Sequence, residues 1–336
     1  MAMEKKFKVC VTGGAGYLGS FLVKKLLERG YTVHATLRNL GDASKVGLLN
    51  GLGSTRLKLF EADIYNPDEF ASAIQGCQVV VHMATPLQQY INNNSQFKNT
   101  SEAAVGGVKS IMESCITSKT VKKVIYTASV VATSPLKEDG LGYKDSVDEA
   151  CWTPINLSYQ YANESLLGYV KSKILAEKQV LSYNGEGIQV VSLACGLVGG
   201  DTIQSSMAES MGALLSQSLN DSERYKVLRF LEELLGKVPI IHIQDVIEAH
   251  IFALENSHIN GRFLCASDFV KSAEIADLIQ KCQPNISISE GFIEDTKRET
   301  RWGSRKLEEI GFEYKYDAEK IIEDSLLCAK RLGNSV

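Results

Sequence analysis

Within its first twenty residues the chain carries Thr12-Gly13-Gly14-Ala15-Gly16-Tyr17-Leu18-Gly19, set between a β-rich run and a stretch of helical period. Glycines in this pattern leave few folds open. Gly13 lets the chain turn tightly off a strand, and Gly16 has no side chain to block a pyrophosphate. Gly19 allows the following helix to pack closely on the sheet. The helix N-terminus then offers N–H groups and a partial positive charge to phosphates. The spacing is a variant of the G-x-G-x-x-G dinucleotide fingerprint, and a strand before with a helix after is its required context. Thr12, Gly13, Gly16, Tyr17 and Leu18 are therefore the expected cofactor contacts of the turn.

The rest of the first half keeps the same rhythm. Strands are expected at Lys8–Thr12, Thr32–Thr36, Arg56–Phe60, Val79–His82, Lys123–Thr127 and Gln189–Leu193, with helical patterns such as Leu18–Arg29 and Ala103–Ser118 between them. Strand–helix alternation implies a parallel sheet covered on both faces. The expected class is α/β, a doubly wound Rossmann sheet with a smaller, mostly helical substrate lobe. After Gly196 the rhythm changes: residues 201–236 read as helix, and Pro239–Glu255 reads as a strand and helix returning to the main sheet. The tail mixes one strand with amphipathic helices around Ala273–Lys281 and Ala318–Arg331. A length of 336 residues suits two lobes. The expected division is 1–196 plus 239–259 for the dinucleotide domain and 197–238 plus 260–336 for the substrate lobe.

Composition narrows the setting. A net charge of −4 offers no broad attraction for nucleic acid or an acidic membrane. No apolar stretch approaches the ~18 residues of a spanning helix, and the charged start from Met1 to Lys8 is unlike a secretory signal. Eight scattered cysteines without a C-x-x-C pair favour reduced thiols in the cytoplasm. His242, His250 and His258 lack metal-ligand spacing, so no metal is expected.

At the end of the second strand an NAD site usually places Asp or Glu for the ribose 2′-hydroxyl. Here Arg38 stands instead, with Lys45 further on, and a guanidinium binds a 2′-phosphate in a fork. NADP(H) is favoured, with NAD(H) left open. Asp63, after the third strand, suits either a hydrogen bond from the adenine amino group or a helix cap ahead of Pro67.

Tyr169-Val170-Lys171-Ser172-Lys173 places a phenol and an ammonium one turn apart on a helix. Leu167, Val170, Ile174 and Leu181 form the core stripe, and the pair is expected about 110° round from it at ~100° per residue, facing a cleft. A free phenol titrates near ~10, and a neighbouring Lys⁺ favours the phenolate. Ser129, closing the fifth strand, is placed to steady a developing alkoxide. Taken alone, Tyr-x-x-x-Lys also occurs on surface helices. The order of glycine turn, strand-end serine, then Tyr169 and Lys173 is the specific signal.

With TGGAGYLGS, VVHMATP, VIYTAS ending at Ser129, YVKSKILAEK from Tyr169, HIQDVIEAHIFALE from His242 and KLEEIGFEYKY near the end, the chain resembles an extended short-chain dehydrogenase/reductase. The late segments resemble the plant group that includes dihydroflavonol, anthocyanidin and vestitone reductases. The resemblance implies that Ser129, Tyr169 and Lys173 are the catalytic trio. It also implies that Arg38 and Lys45 hold the NADP phosphate, that Asp63 with Ile64 reaches the adenine, and that Ala84, Thr85 and Thr127 line the cofactor channel. Ala128 stands where the family usually has a second Ser, Ser134 where dihydroflavonol reductases have Asn, and Gly196 where a Pro is common.

The expected activity is NADPH-dependent reduction of a ketone, or related ring carbonyl, on a bulky plant polycycle, flavonoid or alkaloid. Pro86, Ser134, Met207 and Met211 are the candidate substrate contacts, with Leu214 and Leu215 adding to a pliable wall. Met207, Met211, Leu214 and Leu215 serve the core of the small lobe equally well. Three other readings stay open: NAD(P)⁺-dependent oxidation of an alcohol or hemiacetal, sugar-nucleotide epimerisation or dehydration, and a non-catalytic NADP sensor. Few basic anchors beyond Arg224, Lys226, Arg229 and Lys237 suit a nucleotide diphosphate. A monomer or weak homodimer is expected.

Overall fold

The computed structural model describes residues 7–86, 96–139, 142–155, 158–293, 300–334 and 336. Its strands are β1 (Lys8–Thr12), β2 (Thr32–Leu37), β3 (Leu57–Glu61), β4 (Val79–His82), β5 (Lys123–Ser129), β6 (Ser146–Val147), β7 (Gln189–Cys195), β8 (Leu197–Gly199), β9 (Val238–His242), β10 (Gly261–Cys265), β11 (Asp268–Val270) and β12 (Arg301–Trp302). The helices are α1 (Tyr17–Glu28), α2 (Ala43–Asn50), α3 (Ala71–Ile74), α4 (Thr100–Ser118), α5 (Glu164–Leu181), α6 (Glu209–Leu214), α7 (Ser222–Leu235), α8 (Ile243–Glu255), α9 (Ser272–Cys282), α10 (Lys306–Glu309) and α11 (Ala318–Arg331).

The main sheet has seven strands in the order β10-β7-β5-β4-β1-β2-β3. β1 pairs in parallel with both β2 and β4, so the chain leaves in opposite directions on its two sides. That reversal is the switch point of a Rossmann sheet, where ligands bind beyond the strand C-termini. Strands sandwiched between helices read as unbroken apolar runs. Val9, Cys10 and Val11 of β1, and Val80 and Val81 of β4, are accordingly sealed from solvent.

The chain forms two compact units. The first comprises Met1–Ala128, Gly168–Leu193 and His250–Arg262; the second comprises Ser129–Leu167, Ala194–Ala249 and Phe263–Val336. The strand at Pro239 does not return to the main sheet: β9 lies between β8 and β11 in a separate three-stranded sheet. The edge place beside β7 goes to β10 instead. Gly196, in the second unit, packs against both β9 and the end of β10. Its N–H donates to Cys265 O at 2.9 Å, and a Cβ on it would stand 2.8 Å from Pro239 O. A proline at this position would lose that bond and collide with β9.

Within the first unit a buried ion pair ties α5 to the sheet. Glu177 receives the Arg262 guanidinium on both carboxylate oxygens, at 2.9 and 3.0 Å, and Ser192 Oγ donates to it at 2.6 Å. Glu177 is fully buried and Arg262 nearly so. Removing one partner of such a pair strands a charge, whereas replacing the whole set by apolar groups does not. Glu177→Gln should therefore cost about 3–5 kcal/mol in urea unfolding. The combined Glu177→Leu, Arg262→Met and Ser192→Ala protein should stay near wild-type stability.

Candidate active site

The glycine turn adopts the geometry a dinucleotide cradle needs. Gly13 has φ +69°, which favours glycine. Thr36 of β2 holds the turn: its hydroxyl accepts from Gly13 N at 3.2 Å and its carbonyl from Gly14 N at 2.9 Å. A Cβ on Gly19 would stand 2.2 Å from Gly13 O, so only glycine lets α1 start this close to the strand. Gly16 is exposed, and no side chain caps α1. The cradle therefore presents backbone to a phosphate rather than a capping oxygen. Across the switch point, a Cβ on Gly13 would meet Ala84 backbone at 3.2 Å. Ala84 and Thr85 thus form the opposite lip.

Thr12 does not face that crevice. It is fully buried, and its hydroxyl accepts from Met83 N at 3.0 Å and Ala84 N at 3.1 Å. Its proton is left for His82 Nδ1, 2.9 Å away. A threonine hydroxyl has two acceptor sites and one donor, so all its capacity is used here. Thr12 shapes the lip from beneath. Burial, with Lys173 adding to it, pushes the His82 pKa down to about 3, which keeps the ring neutral as that bond requires.

Arg38 is exposed immediately beyond β2. Lys45 lies 3.7 Å from Asp42, the residue that caps α2 by accepting from Lys45 N. Asp63 is half-buried and accepts from Tyr65 N at 3.1 Å, a local turn rather than the helix cap that was its alternative, since Asn66 holds the cap position ahead of Pro67. Ile64 is buried and joins His82, Ala84, Thr85, Pro86, Tyr126 and Lys173 around a cavity of about 10 Å³. That is room for about one water.

Helix α5 carries Tyr169 and Lys173. Tyr169 is half-buried, but Lys173 is only 6% exposed, so it lies on the buried flank rather than off it. Its ammonium donates to Thr85 Oγ1 and to Thr127 O, both at 3.1 Å. The same nitrogen stands 5.5 Å from the Tyr126 ring centre and 5.9 Å from that of Tyr169. One lysine thereby joins the ends of β4 and β5 to the helix bearing the phenol. In the second unit, Ser129 is half-buried and its Oγ accepts from Val131 N at 3.4 Å at the start of a short 3₁₀ turn.

Two candidate substrate contacts are spent on structure. Ser134 is fully buried, donating to Leu234 O at 2.6 Å and accepting from Leu136 N at 3.1 Å. Met211, Leu214 and Leu215 are also sealed in the core, as the packing alternative for this stretch has it. Met207 remains half-buried, and Pro86 is buried beside the small cavity.

The family model for the NAD dependent epimerase/dehydratase family matches residues 9–266. The chain belongs to that family. Within it, the chain is 34% identical over 340 residues to vestitone reductase of Medicago sativa, covering 98% of this chain and 99% of that protein. It is 33% identical over 338 residues to dihydroflavonol 4-reductase of Gerbera hybrida, covering 99% and 88% respectively. The crystal structure of the Medicago vestitone reductase superposes with TM-score 0.78 at 33% identity, covering 98% of this chain and 100% of that one. A yeast methylglyoxal/isovaleraldehyde reductase solved with NADPH shares the fold at TM-score 0.73 and 20% identity, covering 97% and 99%.

For this member of the family, three residues of the site carried no signal in the sequence. Thr36 holds the glycine turn, His82 accepts from the Thr12 hydroxyl, and His250 meets Thr127 Oγ1 at 2.8 Å. Each acts through a partner distant in sequence, which spacing cannot reveal. All eight cysteines are free thiols, and seven are buried. Among the described residues no helix is long and apolar enough to cross a membrane, and no cluster could hold a metal.

His82 also sets an acid limit. Its folded pKa of about 3 lies below the ordinary 6.5, so between those values the unfolded chain binds a proton that the folded one refuses. The stability it supports is complete above pH 6.5 and declines as pH falls toward 3. His34 and His242, both lowered by burial, act in the same direction. His82→Asn, which keeps an acceptor for Thr12 and cannot titrate, should flatten the decline in Tm between pH 6.5 and 4, even if its Tm at neutral pH is lower.

Proposed function

We propose that the protein is an NADPH-dependent reductase of a carbonyl on a bulky plant polycycle of flavonoid type. The observation that carries the reaction type is Lys173, buried at the ends of β4 and β5 and joined to Thr85 and Thr127 beside the Tyr169 ring. Near-full-length similarity to vestitone and dihydroflavonol reductases supports the substrate class. So does similarity to anthocyanidin reductase of Vitis vinifera, 32% identical over 331 residues.

The glycine turn and the Ala84–Thr85 lip fit a dinucleotide, because added side chains at Gly13 or Gly19 would strike backbone. Gly13, Gly16, Tyr17 and Leu18 would hold the pyrophosphate on the N-terminus of α1. Arg38, with Lys45 nearby, would meet the 2′-phosphate, and Asp63 with Ile64 would border the adenine. When bound, NADPH supplies the hydride. Tyr169 then gives its phenolic proton to the carbonyl oxygen of the substrate as that oxygen becomes an alkoxide. Lys173 holds its positive charge beside the phenol, favouring the phenolate left behind. Ser129 would donate a hydrogen bond to a substrate oxygen. Eight free thiols, seven of them buried, support work in the reducing cytoplasm.

The test follows nicotinamide absorbance with vestitone, dihydroflavonols and anthocyanidins, each with NADPH and with NADH. Tyr169→Phe should lower kcat about 10²–10⁴-fold while NADPH still binds. Arg38→Ala should raise KM for NADPH about tenfold or more, as loss of a charged hydrogen bond does, and leave NADH unaffected. Equal turnover by wild type and Tyr169→Phe would remove Tyr169 from the reaction.

A further inference from the structure

Thr127 is where β5 meets two different parts of the first unit. Its carbonyl accepts from Lys173 Nζ at 3.1 Å, and its hydroxyl lies 2.8 Å from His250 Nε2. Thr127 is 6% exposed, Lys173 6% and His250 0%. We infer that His250, on α8, is a positioning residue for Lys173, acting through the Thr127 hydroxyl to fix the peptide whose carbonyl receives the ammonium. This rests on the reading of Tyr169 and Lys173 as the catalytic pair.

The physical link is short. A β-branched side chain has few rotamers, so anchoring Oγ1 of a threonine constrains its backbone as well. The carbonyl–ammonium contact is directional, and a functional group must be held within about 0.5 Å of its working position. Loss of the His250 partner would leave the buried Thr127 hydroxyl seeking another acceptor or donor. The strand end would shift, and the Lys173 ammonium with it.

Helix α8 has another tie to the same strand. Lys123, at the other end of β5, already donates to Ala253 O at 2.9 Å and to Asn256 O at 2.5 Å, where the helix ends. The tie from His250 falls instead at Thr127, a residue of the strand that receives Lys173. It is also two residues ahead of Ser129.

The other titratable groups around the pair have their own restraints. Tyr126 of β5 lies beneath Lys173, and burial pushes its phenol well up. His82 of β4 is held by Thr12, and Glu177 of α5 by Arg262 and Ser192. Thr127 is the residue that bonds both His250 and Lys173, so the route from His250 toward the phenol runs through its peptide.

An ultraviolet difference titration, each protein minus its own Tyr169→Phe counterpart, reads the ionisation of the Tyr169 phenol with no substrate or cofactor present. The wild-type phenol should titrate below the ordinary value of about 10. His250→Leu should move it upward by about 0.5 pH unit or more, a threefold change in proton affinity. His250→Gln, whose amide nitrogen reaches the place of Nε2, should restore it. Thr127→Val should produce the same shift, and adding His250→Leu to it should produce no more. A His250→Leu protein with a lower Tm and an unmoved phenol would overturn the inference and leave His250 a packing residue. If His250→Leu does not fold, an unmoved phenol in Thr127→Val overturns it equally. A wild-type phenol already at about 10 would instead sink the reading of Tyr169 and Lys173 as an activated pair.

Discussion

A buried ammonium sets the terms for the first unit. Lys173 is nearly sealed from water, and burying a cation is costly unless oriented dipoles meet it. The Thr85 hydroxyl and the Thr127 carbonyl supply two of those dipoles from loops and strands far apart in sequence. Their positions depend on β4 and β5 ending in register and on α5 lying at one rotation over the sheet. The Glu177–Arg262–Ser192 set, one turn beyond Lys173, holds that rotation. Ion pairs of this kind add little to stability over an apolar replacement, so their value lies in fixing one arrangement.

The glycine turn and the lip opposite it are built on the same economy of backbone contacts. Thr36 secures the turn from β2, and Thr12 secures the lip from β1. Neither threonine presents its hydroxyl to the crevice. Both leave the facing surfaces to main-chain groups, which suits a phosphate ligand that reads N–H donors rather than side chains. The neutral His82 ring is the buried end of this arrangement, which is why acid should reach the fold through it.

Much of this was legible in the sequence, for identifiable reasons. β1, β2, β4, β5 and β7 are apolar runs bounded by turns, and each falls within a residue or two of its expected span. Gly13 and Gly19 are required by local geometry that motif spacing encodes. Strand partners are another matter. The run at Pro239 reads as a strand from its own residues, but nothing local says that it pairs with β8 and β11. The burial of Lys173, the inward hydroxyls of Thr12 and Ser134, and the core position of Met211 all come from tertiary neighbours. The departure at Gly196 also makes sense only once Pro239 and Cys265 are beside it.

Tyr169 and Lys173 are proposed to serve net reduction of a substrate carbonyl. The most direct measurement offers vestitone or a dihydroflavonol together with NADPH deuterated at the transferable position of its ring. Mass spectrometry and NMR then locate the label in the product. Reduction places one deuterium on the former carbonyl carbon, with one equivalent of cofactor oxidised per product and far slower formation of that product by Tyr169→Phe. A product altered in configuration with no net oxidation of cofactor would contradict it, and would place the chain with the epimerases of its family.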